Sequence, residues 1–209
     1  MRNGLRHPTR LIPLAFLIVV LLGTALLMLP IASVDGQTAP LHVALFTSTS
    51  AVCVTGLIVV DTPVYWSTFG QVMILLMFQI GGFGIMTGAT LLGLLVADRL
   101  RLDTRLMAQA ETRSTALGNV TSVLRLIVVV TLVVELVVAI VLAVQLHVHY
   151  GEPWREAVWN GVFQSISAFN NAGFATYSDS LMGFATDPLV IVPIMAAIVI
   201  GGIGFPVLY

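Results

Sequence analysis

The chain contains no lysine, and charged residues make up only 9% of its 209 positions. Soluble domains carry about 25% charged residues, so there is too little polar surface here to cover a globule in water. That excludes a soluble enzyme and an intrinsically disordered chain. The net charge of −1 and the absence of any long basic tract exclude the electrostatic footprint of a nucleic-acid binder. A single cysteine, Cys53, excludes an internal disulfide and an all-cysteine metal cage. What is abundant is apolar: 58% of the residues, with a mean hydropathy of +1.02. The composition is that of an integral membrane protein, and the helical spans read below make it all-α.

A bilayer core of about 30 Å needs about 20 residues of helix. Four stretches qualify, Leu11 to Leu29, Val72 to Val96, Leu126 to Leu146, and Pro188 to Tyr209. The first follows arginines, as a signal peptide would, but its apolar run of 19 residues exceeds the 7–15 typical of such signals and predicts an uncleaved span. Arg2, Arg6 and Arg10 precede that span, and Arg99, Arg101, Arg105, Arg113 and Arg125 sit in or beside the segment between the second and third. The connections at 30–71 and 147–187 are mainly acidic, with Arg155 the exception. Positive charge therefore predicts a cytoplasmic N-terminus and a cytoplasmic 98–125 linker, a charged helix or loop joining two membrane units.

Those units are copies. Phe46-Thr47-Ser48-Thr49-Ser50-Ala51-Val52-Cys53-Val54-Thr55-Gly56 aligns with Phe163-Gln164-Ser165-Ile166-Ser167-Ala168-Phe169-Asn170-Asn171-Ala172-Gly173 at a constant offset of 117, with five identities in eleven positions. Ile80-Gly81-Gly82-Phe83-Gly84 returns as Ile200-Gly201-Gly202-Ile203-Gly204 at an offset of 120. The chain thus divides into a first unit with its linker at 1–115 and a second at 116–209, each reading span, short half-buried segment, span. The short segments, roughly Leu41 to Ala51 and Ala157 to Ala168, are too polar to face lipid and too short to cross it. Non-helical backbone survives at membrane depth only inside protein or along a watery path. A short helix followed by a glycine turn at Gly56 or Gly173 makes a re-entrant loop. Its helix C-terminus favours a cation, and its glycine frees the backbone to line up carbonyls in place of an ion's water. A divalent site recruits carboxylates, and none lies within 52–57 or 169–174. The chemistry is that of a monovalent cation.

Thr49-Ser50-Ala51-Val52-Cys53-Val54-Thr55-Gly56-Leu57, with Asp61-Thr62 following, resembles the first pore loop of the Trk/Ktr/HKT superfamily of potassium transporters. Asn170-Asn171-Ala172-Gly173-Phe174 is similar to the second, and Gly81-Gly82-Phe83-Gly84 and Gly201-Gly202-Ile203-Gly204 to its glycine-rich inner helices. The likeness covers nearly the whole chain and is nearest to a Ktr-type or TrkH-type membrane subunit. It implies the fold: tandem M1–pore loop–M2 units, two of a pseudo-fourfold set of four, giving four transmembrane helices and two re-entrant pore helices. It implies K+ as the ion, with Val54, Thr55, Gly56, Leu57, Asn171, Ala172, Gly173 and Phe174 offering filter carbonyls, and Gly56 favouring potassium over sodium. It also implies a cytoplasmic nucleotide-binding regulatory partner, which would hold any nucleotide, so that this chain takes no cofactor beyond K+. The superfamily's gating loop and pore-facing arginine belong to third and fourth units, which have no counterpart here.

A pore needs four such loops, so this chain is expected either to dimerise or to be a truncated half without conduction of its own; Tyr209, inside an apolar run, points to truncation. Glu135, in mid-span, is a functional candidate by position, either a hydrogen-bonding partner of the neighbouring pore loop or a proton relay. Gly84 and Gly88, spaced as GxxxG, read as helix packing, as do Gly81, Gly82, Gly201, Gly202 and Gly204. Cys53 reads as a small buried apolar residue. His42, His147 and His149 read as interfacial, and Tyr65, Trp66, Trp154 and Trp159 as an aromatic belt. Asp61 and Asp179 either enrich cations at a mouth or cap turns. No Ser/His/Asp set or histidine-rich motif lies at membrane depth, which argues against an intramembrane enzyme. A purely structural membrane role is the remaining alternative.

Overall fold

A computed structural model describes residues 8–105 and 116–203, and among them the chain is helical with no β-strand. Seven helices follow one another: α1 (Pro8–Leu27), α2 (Leu41–Val52), α3 (Thr62–Tyr65), α4 (Thr68–Arg105), α5 (Ala116–Val148), α6 (Trp154–Phe169) and α7 (Pro188–Ile203). Proline sets several boundaries. Pro30 follows α1 and opens a short 3₁₀ turn at Pro30–Ala32, and Pro188 stands at the first position of α7. No proline interrupts α4 or α5. The 38 residues of α4 therefore rise about 57 Å at about 1.5 Å each, well beyond a bilayer core.

Among the described residues two helices are long and apolar enough to cross a membrane, through Thr68–Ile85 and Arg125–Val148, with mean hydropathies of 1.6 and 3.2. The described apolar parts of α1 (Pro13–Leu27) and α7 are shorter. The α5 pattern shows what kind of surface this is. Ile127, Thr131, Glu135, Val138, Leu142 and Leu146 recur at helical spacing and are buried. On the other side Val129, Leu132, Val133, Leu136, Val137 and Ile140 are more than half exposed. A helix apolar all round, with its more polar residues turned inward, belongs in lipid rather than water.

Each half builds its own core. Leu27, Val43, Ala44, Ala51, Ile74 and Phe78 pack α1, α2 and α4 together, and Leu142, Leu146, Ala157, Phe169, Val190 and Ile194 do the same for α5, α6 and α7. The halves meet where Phe163 and Phe174 of the second pack on Phe78 of the first, at ring-centroid distances of 5.6 Å edge-on and 6.1 Å stacked. Trp159 adds a bond, its Nε1 donating to Gln71 Oε1 at 2.9 Å.

Several expectations change. The 98–125 linker is not a separate element: 98–105 continues α4 and 116–125 continues α5, while 106–115 lies outside the described residues, as do Arg2, Arg6, Arg113, Gly204 and the end at Tyr209. The second short helix starts at Trp154 rather than Ala157, because Pro153 precedes it as N-cap. Trp66 is not belt but core, 1% exposed and joined to Ser33 by an isolated antiparallel bridge. Cys53 is exposed.

The loops at the Val148 end of the second half are tied to Asp187 and Glu152. Tyr177 Oη donates to Glu152 Oε1 at 2.7 Å, and burial first, then that carboxylate, pushes the phenol upward. Asp187 caps α7, accepting from Leu189 N–H at 2.8 Å, and also takes Gln145 Nε2 at 2.8 Å and Tyr150 Oη at 3.1 Å. The Gln145 bond holds its carboxyl below the ordinary 3.8. A depressed value stabilises the fold at pH above the ordinary one and loses that contribution as pH falls through the folded value. Thermal unfolding in detergent should therefore show wild-type stability falling below about pH 4, with Asp187→Asn flat over that range and lower at pH 6. Parallel acid limbs in the two proteins would remove Asp187 from the effect.

Candidate functional site

The two eleven-residue copies fold into the same turn. After α2, Val54 N–H donates to the Ala51 carbonyl at 3.1 Å and Thr55 N–H to the Ser50 carbonyl at 2.8 Å; after α6, Asn171 N–H donates to Ala168 at 3.0 Å and Ala172 N–H to Ser167 at 2.8 Å. Both are Schellman closures, which need a left-handed residue just past the cap. Val54 and Asn171 are that residue, at φ 55° and 58°. Asparagine suits the position; a β-branched valine does not, at a cost of roughly 1–2 kcal/mol. Strain held in place like this marks a constrained site. Two residues further on, Gly56 and Gly173 are left-handed again, at φ 75° and 74°. Left-handed residues at every second position abolish the strand-like alternation of carbonyl direction.

The loops touch at these glycines. A Cβ on Gly56 would lie 2.6 Å from the Ala172 carbonyl oxygen and 2.8 Å from Gly173 Cα, and one on Gly173 would lie 3.1 Å from Gly56 Cα. The long helices carry matching notches. A Cβ on Gly81 of α4 would collide with the Val52 carbonyl, and one on Gly201 of α7 with the Phe169 carbonyl, the last helical residues of α2 and α6. Close backbone approach through glycine is how helices associate in lipid, where burial of apolar surface drives little.

All eight anticipated loop residues therefore sit on two adjacent turns, but their side chains differ. Thr55 and Leu57 are exposed, whereas Ala172 and Phe174 are buried, because the second loop lies against α4 of the first half. The four serines Ser48, Ser50, Ser165 and Ser167 are all buried. Ser167 Oγ donates to the Phe174 carbonyl at 2.7 Å, which leaves that oxygen one lone pair for anything else. In the first copy, Ser50 Oγ is buried with no partner among the described residues.

Glu135, on α5 and 5% exposed, accepts from Gln79 Nε2 at 3.0 and 3.2 Å and from Asn170 Nδ2 at 3.3 Å. Sequence reasoning missed Gln79, although it is the one amide in the apolar run 72–96 and polar groups inside spans are functional candidates. Asp179 Oδ2 accepts from Gly183 N–H at 2.9 Å and so caps a turn; Asp61, at the N-cap of α3, makes no such bond. His147 Nδ1 lies 2.7 Å from the Glu152 carbonyl, and its ring stacks on Trp154. Among the described residues no three metal-ligating side chains cluster. A cavity of about 220 Å³ opens beside the second loop, lined by Gln164, Ser167, Asn171, Gly173, Phe174 and Ile198 among others. Gln164 Nε2 is buried there with no partner among the described residues.

Comparison with known proteins decides the family. The model of the TrkH family, described as a cation transport protein, matches residues 3–209. The chain belongs to the TrkH family. This is a family of membrane transport components, not of enzymes. The TrkH-family chain is 37% identical over 204 residues to Ktr system potassium uptake protein B of Bacillus subtilis (strain 168), an alignment covering 97% of this chain and 44% of that protein. It is 39% identical over 199 residues to the protein of the same name from Vibrio alginolyticus, covering 95% and 43%. It is 33% identical over 198 residues to potassium/sodium uptake protein NtpJ of Enterococcus hirae, covering 95% and 44%. The chain therefore spans about half the length of these relatives, and aligns along nearly all of its own.

Proposed function

We propose that this chain forms half of a K+ pathway in the cell membrane, in which K+ is dehydrated onto the backbone carbonyls of 54–57 and 171–174. The observation that carries this reading is the duplicated turn, with left-handed Val54 and Gly56 matched by Asn171 and Gly173 and the two glycines in contact. In it α1, α4, α5 and α7 are the four spans, α2 and α6 are re-entrant pore helices with their negative ends at the loops, and the units divide at 115/116. Uncharged carbonyls favour a weakly hydrated monovalent ion.

The inter-unit contact supports a larger ring. Phe78 on α4 receives Phe163 and Phe174, and its counterpart 120 residues on, Ile198 of α7, lines the open cavity beside the second loop. A further pair of units, supplied by a second copy in a homodimer or by the remainder of a full-length protein, would meet that face as the second unit meets the first. The N-terminus lies in the cytoplasm, where a nucleotide-binding regulatory partner would dock. The relatives' names, potassium uptake in two and potassium/sodium uptake in the third, agree with the ion class.

Uptake of K+ into cells lacking their own K+ uptake systems tests this, with Na+ as competitor. Uptake above the empty vector, resistant to equal Na+, is the expected outcome. Vector-level uptake by protein that reaches the membrane in normal amount would leave the chain a non-conducting structural component.

A further inference from the structure

The turns match, but their supports do not. Asn170, the C-cap of α6, turns its side chain away from the loop into the protein, where it is 5% exposed. Its Nδ2 donates to Gln79 Oε1 at 2.6 Å and to the Ile166 carbonyl at 2.9 Å, and reaches Glu135 Oε1 at 3.3 Å. Gln79 Nε2 in turn bridges both Glu135 oxygens. Three elements, α4, α5 and the start of the second loop, are joined through one buried cluster. α4 is shaped for it: the Asn170 Oδ1 atom stands where a Cβ on Gly82 would be. Among the described residues the first loop has nothing comparable: its matching residue, Cys53, is exposed, and the Ser50 hydroxyl behind it has no partner there, whereas Ser167 holds the Phe174 carbonyl.

A carboxylate at membrane depth is retained only for a function or a bond network that needs it. Glu135's partners here are side-chain amides, which neither take up nor release protons, so the arrangement is a fixed set of hydrogen bonds and not a relay. Asn170 immediately precedes left-handed Asn171 and lies three residues before Gly173, so whatever fixes Asn170 fixes the start of the loop. We infer that Gln79, Glu135 and Asn170 are positioning residues that clamp the second loop at the spacing of K+ and keep it from closing on the smaller Na+. The inference rests on the filter reading and assigns size discrimination to the second loop.

The test is cation-dependent thermal unfolding in detergent of the purified assembly that carries all four loops, titrated with K+ and separately with Na+, a readout that needs no transport. Wild type should respond at lower K+ than Na+. Asn170→Ala, and the milder Glu135→Gln, should bring the ratio of the two midpoint concentrations about tenfold closer to one, a change of about 1.4 kcal/mol in relative affinity, each variant being read against its own cation-free unfolding temperature. The exchange Gln79→Glu with Glu135→Gln returns one carboxylate and one amide to the same pair and should restore most of the ratio. Folded variants that keep the wild-type ratio, or an exchange that restores nothing, overturn the clamp. A wild-type chain that responds to neither cation refutes the filter reading itself, and the clamp with it.

Discussion

Gly56→Ser is expected to reduce K+ uptake at least about tenfold at unchanged protein amount, and Gly173→Ser to reduce it less. Two effects add at Gly56. Its φ of 75° lies in the left-handed region, where a side chain costs roughly 1–2 kcal/mol, and each 1.4 kcal/mol is about tenfold in an equilibrium. Its Cβ would also press on the Ala172 carbonyl at 2.6 Å and on Gly173 Cα at 2.8 Å, backbone atoms that cannot rotate aside. Gly173 has the same φ penalty at 74°, but its Cβ would meet Gly56 Cα at 3.1 Å and nothing else closer than 3.9 Å. The order Gly56 worse than Gly173 is therefore specific to this geometry. Initial rates of K+ uptake, normalised to membrane protein, measure it. Rates for both variants within twofold of wild type would remove the glycines from the ion path.

Replacing Gly201 or Gly81 by valine should remove most folded protein from the membrane. Each glycine faces the last carbonyl of a short helix, Phe169 or Val52, and any Cβ would overlap it. Those carbonyls end helices whose caps are closed by two further bonds each, so the backbone has little room to yield. Overpacking a fitted site costs about 1–3 kcal/mol even where side chains can shift, and backbone against backbone sits at or above the upper end. The neighbours supply the contrast. Among the described residues Gly88 meets nothing within 4 Å and Gly202 nothing closer than 3.7 Å, so Gly88→Ala and Gly202→Ala should keep wild-type abundance and unfolding temperature. Detergent-extracted monodisperse protein, measured for all four variants, checks the pattern. Equal tolerance at Gly81 and Gly88 would show that the notch is not needed.

The asymmetry between these glycines also shows how far a linear reading reaches. Gly81-Gly82-Phe83-Gly84 and Gly84/Gly88 all read as packing glycines from spacing alone, yet only Gly81 and Gly82 receive a group that fills the missing Cβ, the Val52 carbonyl and Asn170, while Gly84 touches the edge of the Phe16 ring. Spacing identifies a face of a helix and leaves open what comes against it. Gln79 was overlooked for the same reason: an amide in an apolar run is one weak polar residue until Glu135 and Asn170, 56 and 91 positions away, are brought to it. Trp66 shows the reverse error. Near a predicted membrane edge it looks like a belt residue, but the return of the chain from α3 into α4 places it beside Ser33 and encloses it.

Local chemistry and repetition were enough to determine the class of molecule, where the apolar helices and the two short polar ones lie, and the two loops with their glycines, but not that α4 runs on to Arg105 and that α5 begins at Ala116. These depend on composition, proline placement and hydrophobic run length, which are properties of neighbouring residues. The contact between Gly56 and Gly173, the seating of Phe163 and Phe174 on Phe78, and the Gln79–Glu135–Asn170 cluster were decided by tertiary structure alone. The repeat makes two equal turns, but among the described residues the second unit's turn packs against α4 of the first, and the first unit's turn has no matching contact. That difference in surroundings buries Asn170 and leaves Cys53 exposed, and no comparison of the two copies as sequences contains it.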